Sequence, residues 1–290
     1  MKKLLFLLLF WPLFSHAQTQ PQTHTQTHTQ TTANPNELRI MSYNIRVGKG
    51  LDQVNSLQRI ADVICLEQPH VVALQEVDSA TVRTGGVDQI KELGRLTGMY
   101  SAFAPAIAFS GGKYGVGLLS LEEPLSIKKV PLPGREEPRV LLIVEFRDYV
   151  VASTHFSLTE ADRLASAEIL LAEAAQVYKP MFICGDFNDL PTSPSITRLS
   201  APATLTNLSA PATLTLLSDP TAPTFPADHP TECIDYIFGK SATSPNPGQS
   251  NNQNAFRFNV KFNIIKQVVI PESVASDHRP IMVVINKTPY

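Results

Sequence analysis

The sequence predicts an α+β protein in which two mainly antiparallel sheets pack face to face with helices on the outside. Three observations predict it. Strand-like segments between residues 115 and 154 follow one another with short connections, as antiparallel neighbours do. Other stretches carry apolar residues at helical spacing, so each has one face to bury. Short apolar runs such as Val71 to Leu74 suit strands covered on both sides. A doubly wound parallel sheet fits the short connections less well.

The elements follow in order. Leu38 to Ile45 is strand-like. Val54, Leu57, Ile60, Ala61 and Ile64 form one apolar helical stripe, which Pro69 ends. Val71 to Leu74 is a buried strand, and Asp88 to Thr97 a helix stopped by Gly98. Strands are expected at Gly115 to Ser120, Leu125 to Val130, Val140 to Phe146 and Val150 to Thr154. Thr159 to Tyr178 is the clearest helix, with Leu164, Ala167, Leu171 and Ala174 on one face and capping-box spacing between Thr159 and Asp162. Further strands are expected at Met181 to Cys184, Glu232 to Phe238, Phe262 to Ile270 and Ile281 to Ile285.

Two segments read as surface insertions. The octamer Leu199 to Thr206 recurs as Leu208 to Thr215, which is too few copies for a solenoid. Residues 241–254 are rich in Ser, Pro, Asn and Gln, as mobile loops are.

The N-terminus reads as an export signal. Lys2 and Lys3 precede an apolar run from Leu4 to Phe14, too short for a spanning helix, and Ser15-His16-Ala17 offers a cleavage site. An uncleaved membrane anchor is the competing reading. Residues 18–36, dominated by Gln, Thr and His, form an expected disordered linker to a catalytic domain at 37–290. The chain is therefore expected to be secreted or periplasmic, without stable membrane insertion after cleavage, and monomeric.

Composition bounds the function. Of 290 residues, 43% are hydrophobic and 17% charged, with a formal charge of -2. Taking Lys2 and Lys3 from the 24 basic residues leaves 22 against 26 acidic ones, or -4 for the mature chain. That balance gives no bulk attraction for nucleic acid, although a local basic groove would not register in it. Cys65, Cys184 and Cys233 are an odd number without zinc-type spacing, and read as small buried hydrophobes.

Polar residues gather at strand ends. Asn44, Gln75-Glu76, His155, Asp186 with Asn188, Asp235 and Asp277-His278 each follow, join or precede an apolar run. A hard cation such as Mg²⁺ takes carboxylate, amide and water oxygens, and histidines can donate to phosphoryl oxygens as charge grows there. Each signal alone is weak, since a strand-terminal Asn is commonly a turn residue and a lone His is commonly structural.

Together the residues resemble the endonuclease/exonuclease/phosphatase superfamily, which includes deoxyribonuclease and the exonuclease-III-like enzymes. The resemblance rests on Met41-Ser-Tyr-Asn-Ile45, Val72 to Asp78, Ser153-Thr-His155, Cys184 to Asp189, Ile234 to Phe238 and Ser276-Asp-His-Arg-Pro280, in the family's order from about residue 38 onward. It implies a four-layered α/β/β/α sandwich and a metal-dependent phosphoric ester hydrolase. It further implies Glu76 as main ligand of Mg²⁺ or Mn²⁺, with Asn44 beside it and Asp277 near. Asp186 would orient or deprotonate the attacking water, and Asn188 would help hold the phosphate and position Asp186. His278, fixed by Asp235, and His155 would contact the phosphoryl group. Four residues stay outside this set with two readings each: Tyr114 resembles a family position close to the substrate or is a strand residue packed at the rim, Arg139 touches a phosphate or is a solvated strand end, and Arg46 and Lys49 line the mouth of the site or solubilise a loop. His70 stands where the family often has an Asp usually taken as structural.

The substrate is left open between a small or lipid-like phosphoester, which the acidic charge mildly favours, and DNA or RNA. A catalytically silent binding module on the same fold is the competing class.

Overall fold

Alternation of side chains along the central strands creates the layers. The computed structural model describes residues 36–201, 214–242 and 263–286. Among them β1 (Glu37–Asn44), α1 (Leu57–Glu67), β2 (Val71–Ser79), α2 (Gln89–Thr97), β3 (Tyr100–Phe109) and β4 (Gly112–Ser120) come first. Then come β5 (Ser126–Leu132), β6 (Arg139–Glu145), β7 (Val150–His155), α3 (Glu160–Ala175), β8 (Met181–Asp186) and α4 (Pro194–Ser200). The last are β9 (Thr215–Leu216), β10 (Asp235–Lys240), β11 (Asn263–Val269) and β12 (Ile281–Asn286). Apart from Asn36, the expected leader and linker lie outside the described residues.

In β2, Val71 and Ala73 join a cluster with Leu142, Val151, Phe182 and Ile237 between the sheets. Val72 and Leu74, one residue out of step, pack with Ile60 and Ile64 of α1 and Ile90 and Leu93 of α2. Across the molecule, Ile183 and Phe238 face Ala167, Leu170 and Leu171 of α3 and Ile196 and Leu199 of α4. The order is α/β/β/α, as expected. Each fully buried aliphatic side chain contributes about 1.5–3 kcal/mol relative to exposure.

One sheet runs β11-β12-β1-β2-β4-β3 and the other β5-β6-β7-β8-β10-β9. Pairings are antiparallel except β1 with β2 and β7 with β8. Helix α1 bridges the first parallel pair and α3 the second, as parallel strands require a crossover. In register, Asn44 lies opposite Gln75, and His155 opposite Asp186. Both parallel pairs thus end in polar residues.

Several expectations need correction. Strand β3 was not foreseen, because Ala-rich sequence with Pro105 argues against a strand. It lies at a sheet edge, with a register shift between Pro105 and Ile107, where a missing N–H is tolerated. Helix α4 was also missed, although Ser193-Pro194 is a usable start signal. The duplication is not wholly a surface loop: Leu199 is buried in α4 and Thr215 belongs to β9, while residues 202–213 lie outside the described ones. So do 243–254 of the second expected loop.

The Thr159–Asp162 capping box does not form. Thr159 makes no side-chain cap bond, and Asp162 instead accepts from the Arg135 N–H at 2.8 Å. Val54 precedes the N-cap Ser56 and is exposed. Cys184 and Cys233 are buried, but Cys65 is exposed, on the solvent face of α1.

Candidate active site

The site residues sit where the strands run out. Asn44 ends β1, His155 ends β7, Asp186 ends β8 and Asp235 begins β10. Asp277 and His278 lie in the loop before β12. Glu76 arrives differently. Pairing of β2 with β4 shifts register between Leu74 and Val77, and Glu76 takes φ of 55°. Leu74 and Val77 both face the α1 side, three residues apart, so one residue is extra. The bulge carries the Glu76 carboxyl to Asn44 at the strand end. A left-handed backbone at a non-glycine residue costs on the order of 1–3 kcal/mol and persists where the surrounding structure enforces it.

The rim residues meet in one network. Asn44 Nδ2 donates to Glu76 Oε1 at 3.1 Å and to Asp186 Oδ2 at 3.0 Å, while its Oδ1 accepts from Arg46 N at 3.0 Å. The backbone donor fixes the amide's orientation, so Asn44 turns its nitrogen to the carboxylates, where an oxygen ligand was expected. Asp186 Oδ1 accepts from Asn188 N at 2.9 Å, and its Oδ2 lies 3.5 Å from His155 Nε2 and 3.6 Å from His278 Nε2. His278 Nδ1 meets Asp235 Oδ2 at 2.9 Å, and that oxygen also accepts from Thr224 Oγ1 at 2.6 Å. Asn188 sends its amide to Phe156 O at 2.9 Å, with φ of 50°. Asp277 pairs with Arg46 at 3.2 Å.

The two histidines are driven apart in charge. Burial alone would lower the His278 pKa, but Asp235 and Asp186 outweigh it and push it up to about 10. His155 goes the other way. Burial, with Arg139 and His278 nearby, brings it down to about 4 against the pull of Asp186. At neutral pH the site therefore holds one imidazolium and one neutral imidazole. Arginine can only donate, so Arg139 Nη1, 3.1 Å from His155 Nδ1, leaves the His155 proton on Nε2, facing Asp186.

The donor set suits a hard divalent cation. Burial raises the Glu76 pKa, and Asp277 and Asp186 raise it further, although the Asn44 hydrogen bond opposes them. A crowded, partly desolvated carboxylate group is what a cation would relieve. Asp186, Asp235 and His278 also bring ligand-type atoms within 4.8 Å of one another. Within that trio His278 Nδ1 is hydrogen-bonded to Asp235 Oδ2, while its Nε2 lies 3.6 Å from Asp186 Oδ2. The Glu76 carboxyl also feels the charges of Asp277 and Asp186.

Sequence reasoning missed several supports. Arg139, for which a solvated strand end is the readier reading and a phosphate contact the other, is buried and bound by Glu136 and Glu137 at 3.3 Å each. Ser276 Oγ donates to Asn44 O at 2.7 Å and ties the His278 loop to β1. Gln75 donates to Ser153 Oγ at 3.3 Å, linking the sheets beneath the site. Thr224 offered no signal beyond being a hydroxyl, whereas Ser276 opens one of the stretches that carry the family resemblance. Arg139, just before an apolar run, offered a weak one. Arg46 faces Asp277, and Tyr114 is buried at the rim. His70 does structural work: its Nδ1 accepts from Arg39 N at 3.0 Å, joining β1 to the start of β2.

Similar structures share this fold. A Bacteroides vulgatus endonuclease/exonuclease/phosphatase is 18% identical over 86% of this chain and 98% of that one, with a TM-score of 0.64. A mannosyl-6-phosphatase of Bacteroides thetaiotaomicron is 16% identical over 85% and 98%, with a TM-score of 0.60. The human Nocturnin catalytic domain with bound sulfate is 17% identical over 87% and 95%, with a TM-score of 0.59. No curated protein matches the sequence. The family model for the Endonuclease/Exonuclease/phosphatase family matches residues 41–278, a span that takes in the rim from Asn44 to His278, and the chain belongs to that family.

Proposed function

We propose that this chain is an exported, divalent-metal-dependent hydrolase of phosphoester bonds, acting on a small or lipid-like phosphoester. Family membership supports the hydrolase class. The observation that carries the reading is Asp186 Oδ2, on which Asn44 Nδ2, His155 Nε2 and His278 Nε2 converge at 3.0, 3.5 and 3.6 Å beside the Glu76 carboxylate.

Each residue then has one task. Asp186 orients the attacking water and takes its proton as the new P–O bond forms and the ester P–O bond breaks, the ester oxygen leaving as an alcohol with a proton from solvent. Asn44 holds Asp186 and Glu76 at a fixed spacing. His278, charged and braced by Asp235, donates to a phosphoryl oxygen. His155 donates to another from its Nε2–H, and both act where negative charge develops. Asn188 braces Asp186 through its backbone N–H. Glu76 and Asp277 would hold Mg²⁺ or Mn²⁺, which when bound supplies charge neutralisation at the phosphoryl oxygens.

Export is supported by Lys2, Lys3, the apolar run to Phe14 and the small residues before Gln18. Among the described residues no helix is long and apolar enough to cross a membrane. The slight acidic excess supports a small substrate over nucleic acid. The test is turnover of bis(p-nitrophenyl) phosphate and a panel of lipid, sugar and nucleic-acid esters, with Mg²⁺ or Mn²⁺ and with chelator. Metal-dependent turnover that Asp186→Ala abolishes is expected. Turnover that survives chelator, or none on the whole panel, overturns the reading.

A further inference from the structure

His155 has a second edge. Its Nε2 faces Asp186, but its Nδ1 edge turns to Arg139 and closes one wall of a recess between the sheets. Ala106, Tyr114, Glu137 and Val140 complete most of the lining. The space is about 10 Å³, enough for one water-sized group.

The polar groups around it are incompletely used. Arg139 is buried, its Nη atoms are taken by His155, Glu136 and Glu137, and its Nε has no hydrogen-bond partner among the described residues. Tyr114 is 8% exposed, and no described residue hydrogen-bonds its hydroxyl, which feels Glu76, Glu137 and Arg139. A guanidinium donor, a phenol that can do either and a carboxylate acceptor therefore line a void of hydroxyl size. Leaving a buried Arg N–H unmet costs more than pairing it.

Charge decides what enters. Of the charged residues lining the recess, Glu137 and Arg139 pair at 3.3 Å, while Glu76 and Arg83 act on Tyr114 with opposite sign. The paired lining offers no net positive charge to draw a second phosphate or a carboxylate, and the space is too small for either. A neutral hydroxyl fits both the volume and the donor–acceptor set.

We propose that this recess is a subsite for a hydroxyl group of the substrate, so that the preferred substrate is the phosphoester of a polyol. The idea rests on the phosphoester-hydrolase reading and names its substrate class. Glu137 accepts from the hydroxyl, while Arg139 Nε and the Tyr114 phenol complete its hydrogen bonding. A site built to bond a hydroxyl discriminates strongly against the analogue that lacks it.

The test compares sn-glycerol 3-phosphate with n-propyl phosphate, which share a three-carbon chain. Initial rates of phosphate release are measured with Mg²⁺ for wild type, Glu137→Gln and Tyr114→Phe. Calorimetric affinities of the same two esters are measured for an Asp186→Ala protein with and without Glu137→Gln, with circular dichroism as the folding check. The glycerol ester is expected to be preferred by about tenfold or more, and Glu137→Gln should bring the ratio towards one. A ratio near one in wild type, or one undiminished in both variants, overturns the subsite and leaves the recess holding water only. Lack of turnover on both esters and on bis(p-nitrophenyl) phosphate would overturn the enzyme reading instead, and the affinities would still decide the subsite.

Discussion

Arg139 donates to Nδ1 of His155 at 3.1 Å, and that contact decides which nitrogen of His155 carries a proton. The arginine is itself held by two carboxylates from its own strand approach, Glu136 and Glu137. The prediction is that His155 is a neutral Nε2–H tautomer from about pH 5 upward, consistent with a pKa brought down to about 4. Long-range ¹⁵N spectra of the histidine rings, assigned with a His155→Gln control, would read this directly. In Arg139→Met the His155 pKa should rise, because a neighbouring cation is gone while Asp186 remains, and turnover should fall roughly 10²-fold. An Nδ1–H tautomer in wild type would refute the assignment.

Glu76 links metal binding to stability. Its pKa is raised by burial and by Asp277 and Asp186, so the metal-free fold carries a strained carboxylate. Adding Mn²⁺ or Mg²⁺ should raise Tm, with about 2.7 kcal/mol gained at a hundredfold excess over Kd. Glu76→Gln should lose most of that increment and raise the Tm of the chelated protein. A metal response unchanged in Glu76→Gln, followed by scanning calorimetry, would place the cation elsewhere.

The pH dependence of stability has a sign set by His278. Its folded pKa of about 10 lies above the unfolded value near 6.5, so the folded state binds the proton more tightly. The stabilisation is fully present below about pH 6.5 and is lost as pH climbs through 10. Chelated wild-type protein should therefore lose stability across that window. His278→Asn should show a flatter profile there. Urea midpoints at intervals of one pH unit would measure it, and parallel profiles for the two proteins would count against a charged His278.

Gly185 keeps β7 and β8 close beneath His155 and Asp186. A Cβ there would stand 2.3 Å from Thr154 O, in the neighbouring backbone. Neither strand can move without separating the registered pair His155 and Asp186. Gly185→Ala should cost about 2–4 kcal/mol and cut turnover more than the stability loss explains. Equal urea midpoints for variant and wild type would show that the strands can part without penalty.

Thr224 supports Asp235 from a loop. Its Oγ1 donates at 2.6 Å to the same carboxylate oxygen that holds His278. Thr224→Val keeps the shape and removes the donor. The expected result is a kcat reduced about tenfold with KM little changed, because the loss is in how firmly the imidazolium is held. A change confined to KM would point to a binding role.

Much of the site was legible because chemistry and strand ends coincide in the chain. Asp186 and Asn188 follow an apolar run, as do Asn44 and His155, so their placement at a rim follows from the strands alone. Glu76 was legible as a residue but not as a geometry, because nothing local announces the bulge that presents it. Arg139 was misread for a physical reason. It is buried beside a recess shared with Ala106 of β3 and Tyr114, Gly115 and Val116 of β4, strands of the other sheet that its own stretch of chain does not announce. Strand β3 was lost because Pro105 and alanines argue locally against a strand, while edge position and β4 decide otherwise.

By itself, the sequence determined the layered class, the positions of most strands and helices, and which residues could do phosphoester chemistry, since periodicity and side-chain type are local properties. Tertiary structure decided the rest. It turned the nitrogen of Asn44 to the carboxylates, set His155 and His278 to opposite charge, and formed the recess behind His155. Those outcomes depend on groups from separate strands sharing a desolvated space, where a few ångströms of distance decide protonation and hydrogen bonding, and no short stretch of chain encodes such a distance.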